Sequence, residues 1–121
     1  MDEMDNMDAM KGKTRRTDYE HDYEHVASIT VAICARNAQG IIGACLESIQ
    51  GQTVAPDEVI VALDELSDPT AEVARAFGAR VIASNATGLY EARNAVLNAC
   101  TTDYLAFTDA DCVLVPDQPL K

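Results

Sequence analysis

Ser28-Ile29-Thr30-Val31-Ala32-Ile33-Cys34 is an unbroken β-branched and apolar run, and Arg36-Asn37-Ala38-Gln39-Gly40 ends it with a polar turn. A run without polar alternation marks a strand buried on both faces, as strands of parallel sheets are. Beyond the turn, Ile41, Ile42, Cys45, Leu46 and Ile49 fall at i, i+1, i+4, i+5 and i+8, the spacing of one helix face. Strand, turn and helix in that order open a βα unit.

The unit recurs downstream. Glu58-Val59-Ile60-Val61-Ala62-Leu63 reads as a second strand closed by Asp64. Ser67-Asp68-Pro69 supplies a capping residue and a first-turn Pro for a second helix, with Val73 and Phe77 on one face and Gly78 placed to end it. Val81-Ile82-Ala83 is a short third strand. Gly88 opens a third helix with Leu89, Ala92, Val96 and Cys100 at helical spacing. Tyr104-Leu105-Ala106-Phe107-Thr108 is a fourth strand, expected to be buried, that runs straight into Asp109. This βαβαβαβ order predicts an α/β fold: a parallel sheet with helices on both faces and right-handed crossovers. Ligands of such sheets collect at the carboxyl ends of the strands. Arg36 and Asn37, Asp64, Ser84 and Asn85, and Asp109 and Asp111 all lie just past a strand.

Upstream, residues 1–25 differ in kind. Met1 to Asp8 alternates Met with acids, and Tyr19-Glu20-His21 is nearly copied as Tyr23-Glu24-His25. Too little apolar surface is present to offset the entropy of ordering, so a disordered acidic tail is expected. The domain proper is expected over 26–121.

Composition excludes several functions. Asp and Glu outnumber Lys and Arg by 20 to 9 in 121 residues, a net charge of −11, which opposes binding to nucleic acid or to anionic lipid. The same acidity, with Lys only at 11, 13 and 121, also fits a salt-rich cytoplasm. None of the four cysteines forms a CxxC pair and both histidines lie in the tail, so the usual zinc spacing is missing. Cys34, Cys45, Cys100 and Cys112 sit among apolar residues and read as buried reduced thiols. No run is long and apolar enough for a signal sequence or membrane span, so the reading places the chain in the cytoplasm. A longer parent carrying a membrane segment would hold it at the cytoplasmic face.

Asp109-Ala110-Asp111 is the sharpest chemical signal. Two carboxylates around one small residue at a strand end can face one crevice, where Mg2+ or Mn2+ takes a carboxylate or two plus phosphate oxygens. An acidic turn is the plainer alternative. Asp64 can accept a hydrogen bond from a nucleobase ring N–H or remain a solvated loop carboxylate. Asp68 fits the helix start better than a ligand. Arg93 suits a base carbonyl or a phosphate, with a surface ion pair to Glu91 as its alternative.

Four segments together resemble family 2 glycosyltransferases. Ile29 to Asn37 is similar to their first strand and turn, and Cys45-Leu46-Glu47-Ser48-Ile49-Gln50-Gly51-Gln52-Thr53 to their "CLESIxxQT" helix end. Gly88 to Ala95 resembles "GxxxARNxG", and Tyr104 to Asp111 the strand leading into the metal motif. The match runs in order from about Ala27 to Val115. It implies a Rossmann-like GT-A fold that binds a nucleotide-diphosphate sugar, a UDP-sugar by preference, with Mg2+ or Mn2+. It implies that Ala35, Arg36 and Asn37 line the base and ribose pocket and that Asp64 and Arg93 approach the base. Asp109 would lie near the ribose, and Asp111 would hold the metal on the diphosphate. The family's Pro before the first turn is Cys34 here, the Glu after Asn is Ala38, "DDGSxD" reads Leu63 to Asp68, and the Gly of "ARNxG" is Val96. These departures bear on the choice of base.

Family catalytic domains continue well past the metal motif, with acceptor-binding strands and a carboxylate that acts as general base. Nothing in this chain matches that base, so the catalytic residue and the acceptor, sugar or lipid, are not assigned. The fold is expected to be incomplete at the C-terminus, a truncated or split glycosyltransferase whose exposed sheet edge invites self-association. One rival is a nucleotide-binding remnant without turnover. Another, a sugar-phosphate nucleotidyltransferase, lacks its Gly-rich basic first loop here.

Overall fold

A computed structural model describes residues 27–115, so the expected tail at residues 1–25 lies outside the described residues. Four strands and three helices alternate: β1 (Ile29–Cys34), α1 (Ile42–Gln50), β2 (Glu58–Leu63), α2 (Thr70–Ala76), β3 (Arg80–Ala83), α3 (Leu89–Ala99) and β4 (Tyr104–Asp109). All pairings are parallel, in the order β3-β2-β1-β4. Strand order reverses between β1 and β4, which opens a crevice at their carboxyl ends.

Helices α1 and α2 cover one face of the sheet and α3 the other. Under α1 and α2, Ile33, Val61 and Leu63 from the strands pack with Ile42, Cys45, Leu46, Ile49, Ala71 and Ala74. Under α3 the layer is thinner, with Ala32, Ile60 and Ala62 against Ala92 and Val96. Ile41, expected on the inner face of α1, is 51% exposed because the helix begins one residue later. The end of α2 follows its glycine: Gly78 takes φ +84°, and the Gly78 and Ala79 N–H groups close onto the carbonyls of Arg75 and Ala74. That two-bond arrangement satisfies carbonyls the helix leaves open.

The amino edge of the sheet is tied by polar side chains. Asp103 accepts from the Ser28 N–H, Asp57 from the Ile29 N–H, and buried Thr30 shares a hydrogen bond with Thr102 at 2.7 Å. Those acids hold strands together, which leaves the carboxyl edge as the place for chemistry.

Strand β4 departs from expectation. Among the described residues it pairs with β1 on one side only, and α3 packs over β1 to β3. Tyr104 is 63% and Phe107 39% exposed, so the apolar composition of β4 does not correspond to burial on both faces. Among the described residues β4 is therefore an edge strand.

Candidate functional site at the carboxyl edge

The turn after β1 is built around Asp68. One of its oxygens accepts from the Asn37 N–H at 2.8 Å, the other from the Thr70 N–H and hydroxyl at 2.9 and 2.8 Å. The buried Thr70 hydroxyl in turn accepts from the Ala38 N–H at 2.8 Å. Asp68 thus pins the first turn to the start of α2, the structural role its sequence suggested, while Ser67 bonds Glu65 instead of capping. Burial works to raise its carboxyl pKa, but the hydrogen bonds from Asn37 and Thr70 outweigh it and hold the group below the ordinary Asp value. A pKa depressed on folding contributes stability above the unfolded value of about 3.9 and loses it as pH falls through the lower folded value. Asp68→Ala is expected to cost about 1–2 kcal/mol near neutrality. The deficit relative to wild type should shrink in urea melts taken progressively below pH 4.

This anchoring lets Asn37 hold φ +51°, and Asn85 after β3 holds φ +61°. Asn is among the few residues that tolerate this left-handed region. The Ser84 and Asn85 N–H groups bond the carbonyls of Leu63 and Asp64, carrying the β2–β3 ladder past the strands. Gly88, before α3, sits at φ +129° and ψ 152°, a conformation essentially reserved for glycine.

Between these turns lies a cleft of about 210 Å3 walled by Cys34, Ala35, Arg36, Asp64, Thr87, Gly88, Leu89 and Ala92. Arg36 reaches over Asp64 with Nη1 to Oδ2 at 3.5 Å. The arginine is 64% and the carboxylate 23% exposed, so the pair is worth at most about 1 kcal/mol and can part for an incoming group. Ala35, Arg36 and Asp64 are therefore brought together as the sequence led one to expect. Asn37 belongs to the supporting turn. Thr87, Gly88, Leu89 and Ala92 form a wall that the search for charged residues passed over. Its signal was Gly88 followed by apolar residues three apart. Leu89, read as a core position, is 53% exposed and faces the cleft.

One strand over, Asp109 is the ladder partner of Cys34. The turn that follows closes with the Cys112 N–H on the Asp109 carbonyl at 3.0 Å, and Ala110 tucks into the core. Side-chain ligand atoms of Asp109, Asp111 and Cys112 come within 4.8 Å of one another, all exposed. Two carboxylates and a thiol at this spacing form a donor set that fits a divalent cation. Arg93 stands with its guanidinium 5.6 Å from the centre of the Phe107 ring, and is not part of the cleft wall.

The thiols divide by place. Cys45 is buried and donates to the Asp109 carbonyl at 3.5 Å. Burial, with added repulsion from Cys112, Asp111 and Asp109, pushes its pKa up. Cys34 is half-buried and also raised, by burial first, with Arg93 opposing and Asp109 adding. Of the four thiols expected to be buried only Cys45 is: Cys34 and Cys100 are half-buried, and Cys112 is exposed in a segment where Val113 and Val115 are exposed as well.

Residues 30–121 match the family described as Glycosyl transferase family 2. The 4,4'-diaponeurosporenoate glycosyltransferase of Staphylococcus aureus (strain bovine RF122 / ET3-1) is 42% identical over 91 residues, covering 69% of this chain and 24% of that protein. Glucosyl-3-phosphoglycerate synthase of Mycobacterium tuberculosis was crystallised with Mn2+, uridine diphosphate and glucosyl-3-phosphoglycerate. It aligns with TM-score 0.61 at 30% identity, over 69% of this chain and 33% of that one. Mannosyl-3-phosphoglycerate synthase from Rubrobacter xylanophilus, at 24% identity and TM-score 0.64 over 70% and 31%, shares the fold. The chain spans about a quarter of the length of the curated relatives it matches and about a third of the solved ones. Among the described residues no helix is long and apolar enough to cross a membrane. The family match takes in β1 from Thr30 onward, the cleft and the Asp109–Asp111 turn, and the chain belongs to glycosyl transferase family 2.

Proposed function

We propose that residues 26–121 bind a nucleotide-diphosphate sugar, preferably a UDP-sugar, with Mg2+ or Mn2+, as the donor half of a sugar transfer. The observation that carries this is the adjacency of a small, largely apolar cleft bearing Arg36 and Asp64 and a two-carboxylate turn on neighbouring strands. A cleft of about 210 Å3 is smaller than the roughly 300–1,000 Å3 of whole-ligand sites. It suits a base and ribose, leaving the diphosphate to the side of Asp109 and Asp111.

Ala35, Arg36 and Asn37 contribute the turn over which the base and ribose lie. Asp64 accepts from the ring N–H of the base, and Arg36 yields that carboxylate when the base arrives. Arg93, held against Phe107, supplies positive potential near Asp109. Asp109 and Asp111 hold the cation, which would neutralise the diphosphate and the charge that builds as it departs. The crystal form of the mycobacterial synthase with Mn2+ and uridine diphosphate supports this reading at 30% identity. The acceptor and the general base are outside the proposal.

Calorimetric titration of the chain with UDP tests it. Saturable binding is expected in Mn2+, with loss of the signal when EDTA replaces the metal. A folded chain that binds neither UDP nor GDP, ADP or CDP in either condition would rule the donor site out.

A further inference from the structure

The stretch from Cys45 to Thr53 lines no part of the cleft and offers no group to the Asp109–Asp111 turn's acidic cluster. Three of its side chains nevertheless hold the chain that leaves that turn. Cys45 Sγ donates to the Asp109 carbonyl at 3.5 Å. The Ser48 hydroxyl gives its one proton to the Cys45 carbonyl at 2.7 Å, which leaves a lone pair for the Leu114 N–H at 2.9 Å. Gln52 Nε2 donates to the carbonyls of Ser48 at 3.1 Å and Val115 at 3.2 Å. Positions 45, 48 and 52 lie on one side of α1 and its extension, and half-buried Leu114 packs against the core on the same face of the sheet.

We propose that Ser48 and Gln52 are positioning residues for the cation site: by clamping Leu114 and Val115 to α1 they fix the far end of the turn that carries Asp111. The inference rests on the metal-binding reading of Asp109 and Asp111. The near end of the turn is fixed by the ladder of β4 on β1 and by the Cys112 N–H on the Asp109 carbonyl. Asp111 itself is exposed, so its place depends on how its backbone is held at both ends. A ligand held in place before the ion arrives binds without the entropy cost of ordering it. Removing an outer partner of a ligating group typically lowers metal affinity about 10- to 100-fold. Ser48 works through the backbone and not on the carboxylate, which puts its effect at the lower end of that range.

The full chain is titrated calorimetrically with UDP over a series of MnCl2 concentrations, with far-ultraviolet circular dichroism as the folding check. GDP, ADP or CDP replaces UDP if the wild type prefers it. Wild type is compared with Ser48→Ala, with Ser48→Thr, whose hydroxyl can make the same helix-backbone bond, and with Gln52→Met, which keeps length and loses both donations. Ser48→Ala should raise the Mn2+ concentration that half-saturates nucleotide binding about tenfold, and Gln52→Met about threefold. Ser48→Thr should stay within about twofold of wild type. Nucleotide affinity at saturating Mn2+ should hold in all three, because the bound ion then orders the turn that the clamp no longer holds. An unchanged Mn2+ requirement in Ser48→Ala, or a Ser48→Thr as poor as Ser48→Ala, overturns the positioning role and leaves the donor site standing. An equal loss of affinity at saturating Mn2+ overturns it too, by making the clamp a support of the fold at large. If Ser48→Ala does not fold, half-buried Gln52 decides through Gln52→Met by the same Mn2+ requirement. A folded wild type whose binding of every one of these nucleotides is independent of Mn2+ overturns the metal reading itself, and this inference with it.

Discussion

Asp111→Asn is expected to weaken UDP binding in Mn2+ about a hundredfold, ~2.7 kcal/mol, to the level the wild type shows in EDTA. The side chain is exposed in the turn after β4, so the substitution removes no core contact and should leave stability within about 0.5 kcal/mol. What it removes is a charged oxygen ligand from a proposed site whose other carboxylate is Asp109. The sign of the effect without metal is the sharper test. The chain carries a net charge of −11, and a diphosphate approaching two bare carboxylates meets repulsion. In EDTA, Asp111→Asn should therefore bind UDP no worse than wild type, and slightly better at low salt, where that repulsion is least screened. A variant that matches wild type in Mn2+ would remove Asp111 from the metal site. A variant equally weakened in both conditions would make it a direct ligand of the nucleotide instead.

The sequence announced the alternation of strands and helices because each element is consistent locally. The apolar run at β1, the helical spacing of Ile42, Cys45, Leu46 and Ile49, and Gly78 at a helix end all match their positions in the sheet and its helices. Neighbourhood was harder to read. The composition of β4 says apolar strand, but whether a second strand covers it is a property of the sheet, and among the described residues none pairs with its outer side. Cys112 misled for a related reason: apolar neighbours suggest burial only when they are buried themselves. Position past a strand end was the better guide to which polar groups meet, since it brought Arg36 to Asp64 and Asp109 beside Cys34. It could not give the direction of long side chains. Arg93 lies near the right edge of the sheet, yet its guanidinium settles on Phe107 rather than on the cleft wall.

Ile60→Ala is expected to cost about 3–4 kcal/mol in urea-induced unfolding, within the range for emptying a buried aliphatic site. The magnitude follows from the thinness of the layer under α3. Ile60 is fully buried and shares that core with Ala32, Ala62, Ala92 and Val96, so among the fully buried members only Val96 is of comparable bulk, with half-buried Ile82 and Leu105 at the rim. Small neighbours on a parallel sheet cannot rotate to fill a vacated volume, and the cavity persists. An equal truncation at Ile42 should cost less, because the core it belongs to includes Cys45, Leu46, Ile49 and Phe77, larger and more adaptable side chains. Against a total of about 5–15 kcal/mol for a domain, the Ile60 change leaves a marginal fold. Its second consequence falls on the site. Helix α3 brings Leu89 and Ala92 to the cleft wall and Arg93 to Phe107, and it is held chiefly through Ala92 and Val96 over Ile60. Amide exchange in Ile60→Ala should therefore quicken in α3 before β1 or α1, and UDP affinity should fall even under conditions where the chain stays folded. Uniform acceleration across all elements would mean that α3 has no independent stability and that the cleft wall opens only by global unfolding.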